Sequence, residues 1–231
     1  MGVDLIKRRI HVTGDAVVSS VWAVPAGDPR PPGVALVLGH GAGNDMNNPL
    51  LSFVHEALAR KGVMAVKFNF PYKERGGKAP DRAPLLEATW RAVIEAVRTD
   101  EQLAPARLFC GGKSMGGRIA SQVVANGEAC EGLVFLGYPL HPPKRPERLR
   151  AEHLSRIACP MLFIQGTRDA LCELALLREV LKRVHARVVL HVIEGGDHSF
   201  NVPKRMGRSA MQIQQQIVDV VSHFLRHDGK H

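Results

Sequence analysis

Short apolar runs along this chain alternate with longer stretches in which apolar residues recur every three or four positions, the pattern of strands interleaved with amphipathic helices. Ile10 to Val12 and Val17 to Val24 predict an initial antiparallel pair. The runs beginning at Val34, Val63, Leu108, Leu133, Met161 and Val188 supply parallel strands, for eight in all. The first helix is well marked at both ends, with Asn48 as N-cap, Pro49 at N1, an apolar face of Leu51, Val54 and Leu58, and Gly62 beyond its end. Pro84 opens a second helix striped by Leu86, Trp90, Val93 and Val97, with Trp90 expected in the core. A third runs through Ile119 and Val123 to Gly127. Leu177, Leu181 and Val184 stripe the helix before the last strand, and Ala210, Ile213, Ile217, Val220 and Phe224 the final one. Strands alternating with helices predict an α/β architecture, a mostly parallel eight-stranded sheet with helices on both faces.

The connection after the sixth strand limits that architecture. Only about 20 residues separate Tyr138 from Cys159, too few for a helical lid. No internal repeat or low-complexity linker interrupts the series, and 231 residues with 45% hydrophobic content suit one domain spanning 1–231. No apolar run reaches the roughly 18 residues of a membrane span, and the charged start from Met1 to Ile10 is unlike a signal peptide. Ile6 stands where a myristoylation motif opened by Gly2 needs Ser or Thr. Cys110, Cys130, Cys159 and Cys172 lie singly, without Cys-x-x-Cys or metal-ligand spacing, and read as reduced core thiols. These features predict a cytoplasmic protein with no membrane attachment, metal or cofactor.

Candidate chemistry concentrates at the carboxyl ends of the predicted strands. The run into Cys110-Gly111-Gly112-Lys113-Ser114-Met115-Gly116 places Ser114 in a Gly-x-Ser-x-Gly turn between a strand and a helix, the form of a nucleophile elbow. Small residues two before and two after the serine permit the sharp turn that exposes its hydroxyl. Asp169 follows an apolar run in Phe163-Ile164-Gln165-Gly166-Thr167-Arg168-Asp169, and His198 follows another in Gly195-Gly196-Asp197-His198. Asp197 and Glu194 are alternative acids, but both lie too near His198 in sequence for the position after the seventh strand. The order Ser, Asp, His is that of the α/β-hydrolases. Upstream, Gly39-His40-Gly41-Ala42-Gly43 forms a glycine-rich turn, so the amides of Ala42 and Met115 are the expected oxyanion donors.

These pieces, with Phe68-Asn69-Phe70-Pro71-Tyr72, resemble over nearly the whole chain the small, lidless dienelactone-hydrolase-like serine hydrolases of the α/β-hydrolase superfamily. Dienelactone hydrolases proper use a cysteine nucleophile where Ser114 stands here, so their lactone substrate does not carry over. The resemblance implies a carboxylesterase-like hydrolase acting on small soluble esters through an acyl-enzyme on Ser114, with thioesters as an alternative. His40, Tyr72, Tyr138, His141 and Arg168 are the expected substrate-binding residues. His40 also has a structural role open to it, and Lys113, next to the serine, is expected to point away into solvent or to pair at the helix edge.

Two nucleotide-binding readings fail on position. A P-loop ending at Gly112-Lys113-Ser114 needs glycine where Arg107 stands, and a dinucleotide fingerprint from Gly39 and Gly41 needs it at Asn44. A net charge of +9 and an isoelectric point near 9.8 keep open a catalytically idle scaffold that binds a polyanion or a protein partner. Lys144, Arg145, Arg148 and Arg150 cluster after the sixth strand, and Lys204, Arg205 and Arg208 follow His198. No aromatic interleaving accompanies them, so specific nucleic-acid binding is not expected. A basic rim that includes Arg168 instead extends the substrate expectation to esters bearing a carboxylate or phosphate.

Overall fold

In a computed structural model of the chain, residues 2–27 and 32–227 are described; the ends of the expected 1–231 domain lie outside them. Eight strands form one sheet in the order β1-β2-β4-β3-β5-β6-β7-β8. β1 (Val3–Thr13) and β2 (Ala16–Pro25) pair antiparallel, and β2 also runs antiparallel to β4 (Met64–Phe68). From β4 through β3 (Val34–Gly39), β5 (Arg107–Lys113), β6 (Gly132–Leu136) and β7 (Met161–Gly166) to β8 (Val188–Ile193), every pairing is parallel. β1 is far longer than the expected Ile10 to Val12. Its outer residues alternate with charges such as Lys7 and Arg9 and bury little apolar surface, so hydrophobic pattern alone marks only its end.

Successive residues of the central strands belong to opposite cores, as the two-residue period of a strand requires. In β7, Met161 and Phe163 join the layer containing Trp90, Ile119 and Leu177, while Leu162 and Ile164 join the layer containing Leu51, Ile217 and Phe224. The first layer is covered by α3 (Ala83–Arg98), α4 (Met115–Ala125) and α5 (Leu174–Leu181), the second by α1 (Pro49–Arg60) and α6 (Ala210–His227). Asn48 caps α1 as expected, its side chain accepting from the Leu51 amide at 3.3 Å. A short helix, α2 (Pro71–Glu74), fills the predicted turn after β4. α5 stops at Leu181, so Val184 lies beyond it. Residues between β6 and β7 carry one 3-10 turn, Glu152–Arg156, and no helical lid.

The four cysteines are free thiols, as read, but not isolated ones: the Cys130 and Cys159 sulfurs approach to 3.7 Å. That proximity arises from neighbouring strands β6 and β7, whose first residues these cysteines precede. Among the described residues no helix is long and apolar enough to cross a membrane.

Two histidines in the core make stability depend on pH. His40 and His55 are 0% and 1% exposed, and burial lowers the pKa of each from 6.5 to about 4. His55 donates from Nε2 to the Val21 carbonyl at 3.0 Å, and burial together with the nearby Lys67 charge opposes a second ring proton. Because the folded pKa values lie below the unfolded ones, the unfolded chain binds protons between pH 6.5 and 4 that the native chain refuses. Stability is therefore present above pH 6.5 and is lost as pH falls toward 4. These two histidines alone are expected to make the free energy of urea unfolding at pH 5 about 3–4 kcal/mol lower than at pH 7, and His153, whose pKa burial also lowers to about 4, adds to the loss. Equal values at the two pH values would contradict this account.

Candidate active site

Four chain segments leave the carboxyl ends of parallel strands and meet at one edge of the sheet, where open α/β sheets bind ligands. They follow β3, β5, β7 and β8 and bring the glycine-rich turn, Ser114, Asp169 and His198 together. Ser114 stands at φ 51 and ψ −117, outside the regions that side chains favour. A conformation of this kind costs about 1–3 kcal/mol, which the surrounding packing must hold. That packing is visible at the motif's glycines. A β-carbon on Gly112 would lie 2.1 Å from the Gly39 carbonyl oxygen and one on Gly116 2.2 Å from the same atom, so the end of β3 closes on both sides of the elbow. Only glycine fits at either position, the collision expected from the motif.

The Ser114 hydroxyl lies 2.9 Å from His198 Nε2, and His198 Nδ1 lies 2.7 Å from Asp169 Oδ2. Nδ1 carries the proton toward the carboxylate, leaving Nε2 as an acceptor facing the hydroxyl. The Asp169 side chain is inaccessible to solvent, while that of His198 is 25% exposed. Asp169 accepts two further bonds, from the Leu171 amide at 2.8 Å and from Gln165 Nε2 at 2.5 Å, and Gln165 in turn accepts from the Tyr138 amide at 2.9 Å. Its carboxylate is thus fixed from strand β7 itself. Gly137, beside the His198 turn, has φ 72, a left-handed conformation that favours glycine.

The alternative acids have other partners. Asp197 Oδ1 accepts from the amides of Ser199 at 2.8 Å and Asn201 at 2.9 Å, which closes the turn that carries His198. Glu194 accepts from Thr167 Oγ1 at 3.2 Å. Lys113 corrects the expectation of a solvated side chain. It is 6% exposed, and its Nζ donates to the His198 carbonyl at 2.5 Å, tying the strand before the elbow to the histidine turn. Burial lowers its pKa to about 8, against the pull of Asp169 and Asp197.

Gly41 packs on the nucleophile, where a β-carbon would lie 3.4 Å from Ser114 Cβ. Ala42 and Met115 line the same cleft as Ser114, a cavity of about 370 Å³. As the first residue of α4, Met115 has an N–H with no acceptor within the helix. Among the described residues, no group of three His, Cys, Asp or Glu side chains is placed to hold a metal ion.

None of the five expected substrate-binding residues lines this cleft. His40 lies wholly inside, its Nδ1 donating to the Gly41 carbonyl at 2.9 Å and its Nε2 accepting from the Phe70 amide at 3.1 Å. It braces the glycine-rich turn. Tyr72 packs on the His40 ring and is 2% exposed, with burial raising its pKa to about 12. Tyr138 is also buried, donating to the Arg150 carbonyl at 2.7 Å. His141 bridges the Pro142 carbonyl and the Glu173 amide, at 2.9 and 3.2 Å. Arg168 is exposed beside the Gly195 carbonyl. The cleft wall is instead built from Leu86, Arg118, Ile119, Pro139, Arg150 and Leu171, with Asp81 at one side. Arg118 follows Ser114 by one helical turn and so shares its face, a spacing that could have signalled it.

A strained serine between strand and helix, joined through histidine to a buried aspartate at the carboxyl edge of a mostly parallel sheet, is the arrangement of an α/β-hydrolase fold. The chain belongs to the α/β-hydrolase domain family, whose model matches residues 32–226. Among solved structures it is similar to a dienelactone hydrolase from Anabaena variabilis (18% identity, 98% of each chain covered, TM-score 0.75). It also resembles a lidless α/β serine hydrolase from Xanthomonas campestris (19% identity, 97% of each chain, TM-score 0.72). A third neighbour is Est1E from Butyrivibrio proteoclasticus, solved with ferulic acid bound (14% identity, 96% of this chain and 98% of that one, TM-score 0.75).

Proposed function

We propose that this protein is a serine hydrolase that cleaves small, soluble carboxylic esters through an acyl-enzyme on Ser114. The observation that carries this reading is the continuous hydrogen-bonded chain from Ser114 Oγ through His198 to Asp169, at 2.9 and 2.7 Å. A serine hydroxyl is a weak nucleophile until a base takes its proton, and His198 Nε2 is within reach of that proton. Ser114 Oγ attacks the ester carbonyl as His198 accepts the proton, and the carbonyl oxygen becomes an oxyanion between the amides of Ala42 and Met115. The tetrahedral intermediate collapses, with His198 returning the proton to the departing alcohol. Water, deprotonated by His198, then attacks the acyl-enzyme and releases the acid. Asp169 stays ionised throughout, fixing the imidazole tautomer and stabilising the imidazolium.

A lidless serine hydrolase and an esterase among the structural neighbours support the hydrolase class, and the lack of a helical lid between β6 and β7 of this chain favours short acyl chains. A cleft of about 370 Å³ is at the small end of ligand sites and has no helical cover under which a long chain would be drawn from water. With 4-nitrophenyl esters from acetate to palmitate, kcat/KM is expected to peak at or below about six carbons and then fall. A steady rise to palmitate would contradict the size assignment.

A further inference from the structure

Of the basic cluster after the sixth strand only Arg150 lines the cleft, and Arg118 of α4 joins it there. Arg118 and Arg150 both line it, and neither forms an ion pair with a carboxylate among the described residues. Elsewhere on the protein such pairing is common: Arg8 meets Asp100, Arg60 meets Glu56, Arg75 meets Asp81 and Arg98 meets Glu128. Asp81, the acidic residue of the cleft wall, is occupied by Arg75 and by the Tyr72 amide. Arg118 has a neutral partner, Gln122 Oε1 at 3.3 Å from NH1, and its buried Nε has none. Burial and the neighbouring Arg150 both disfavour its charge. Arg118 thus carries a half-buried guanidinium with no carboxylate partner, and the exposed Arg150 sets a second positive charge at the same cavity, so an anion held between them would offset both the desolvation of the first and their mutual repulsion.

The backbone beneath both arginines is held by one buried polar cluster. Ser121 Oγ donates to the Arg118 carbonyl at 2.7 Å, and Tyr138 donates to the Arg150 carbonyl at 2.7 Å. His153 Nε2 stands 2.7 Å from the Ser121 oxygen and 3.5 Å from the Tyr138 oxygen, joining α4 to the segment before β7. Arg150 is fixed again where its amide donates to the Leu140 carbonyl at 2.8 Å. Both side chains therefore start from a fixed frame, with Ile119, Leu86 and Leu171 offering apolar wall to a short hydrocarbon between them and Ser114. We infer that Arg118 and Arg150 form an anion subsite for a carboxylate or phosphate on the substrate, so that the favoured substrate is a short ester carrying such a group. The substrate half of this inference rests on the serine-hydrolase reading; the subsite itself does not.

The test compares two esters with five-carbon acyl groups, 4-nitrophenyl hydrogen glutarate and 4-nitrophenyl valerate, at 0.15 M salt. The native protein is expected to favour the glutarate in kcat/KM by about tenfold or more, and Arg150→Gln to lower that ratio about ten- to hundredfold. The ratio is unaffected by a general loss of activity. Arg145→Gln, an exposed arginine of the same loop outside the cleft, is expected to keep it, which separates a local subsite from attraction by the net charge. Arg118→Gln should act like Arg150→Gln; if the half-buried site does not tolerate it, the exposed Arg150 variant decides alone. Calorimetry with glutarate and with inorganic phosphate, on the native protein and on Arg150→Gln, reads the subsite without turnover, and the tighter ligand identifies carboxylate or phosphate. If no ester is cleaved but Arg150-dependent anion binding is present, the hydrolase reading fails and the subsite stands. Equal rates on both esters with no anion binding would overturn the subsite and leave the hydrolase reading intact.

Discussion

Replacing Ser114 by alanine is expected to lower kcat on a short-chain 4-nitrophenyl ester by about 10⁴ to 10⁶-fold. The size of this loss follows from the way the three side chains depend on one another. Without the hydroxyl, His198 has no proton to take and Asp169 has no imidazolium to stabilise, so their contributions vanish together. Any residual rate is expected to come from binding and from the proposed oxyanion donors, the amides of Ala42 and Met115. The fold should survive. Among the described residues the lost oxygen bonds only to His198, whose side chain is 25% exposed and open to water, and alanine occupies the same strained backbone with no added atoms. Steady-state kinetics together with a thermal melt check both halves. A folded Ser114→Ala protein retaining more than about a hundredth of native activity would mean that the nucleophile lies elsewhere.

Asp169→Asn is expected to lower kcat by about 10⁴-fold through a different route. The asparagine oxygen can still accept from the Leu171 amide, 2.8 Å away in the native protein, while the bond from Gln165 Nε2 to the other oxygen is lost. The amide nitrogen then faces His198 Nδ1, where the carboxylate oxygen had been at 2.7 Å. A donor there makes Nδ1 the acceptor and moves the ring proton to Nε2, which points at the serine and can no longer take its hydrogen. Because the defect is one of tautomer, it should appear in kcat far more than in KM. Asp197→Asn weakens the turn's internal bonds but leaves the imidazole its partner, and its loss should be far smaller than that of Asp169→Asn. A reversal of that order would identify Asp197 as the acid.

The residues of this chain announce strand ends far better than they announce pocket walls. Ser114, Asp169 and His198 could be read because each follows an apolar run at the edge where parallel strands stop, and because glycines at 112, 116, 137, 166 and 196 permit the close approaches that bring those ends together. Topology then carries them to one point, whatever the loops do. Pocket walls come from the segments before α3 and after β6, where no period dictates which way a side chain turns. His40, Tyr72, Tyr138 and His141 sit near the right strand ends, yet each has its polar tip satisfied by backbone groups within the core. Residues so partnered lie under the site and hold it. Arg168 takes the position next to Asp169, but adjacent residues of a turn point to different sides, and it faces solvent. Lys113 shows the converse, since a residue next to the nucleophile was expected outside and instead lies buried against the His198 turn.

The central claim is that Ser114 is an activated nucleophile, and intact mass after treatment with a fluorophosphonate probe tests it most directly. Such probes need a serine whose proton is taken by a neighbouring base and an oxyanion site to receive the phosphoryl oxygen, so labelling reports the assembled site and requires no knowledge of the substrate. The native protein is expected to gain the mass of one probe molecule and the folded Ser114→Ala variant none. A folded native protein that gains no mass, or a variant labelled to the same extent, would contradict the account.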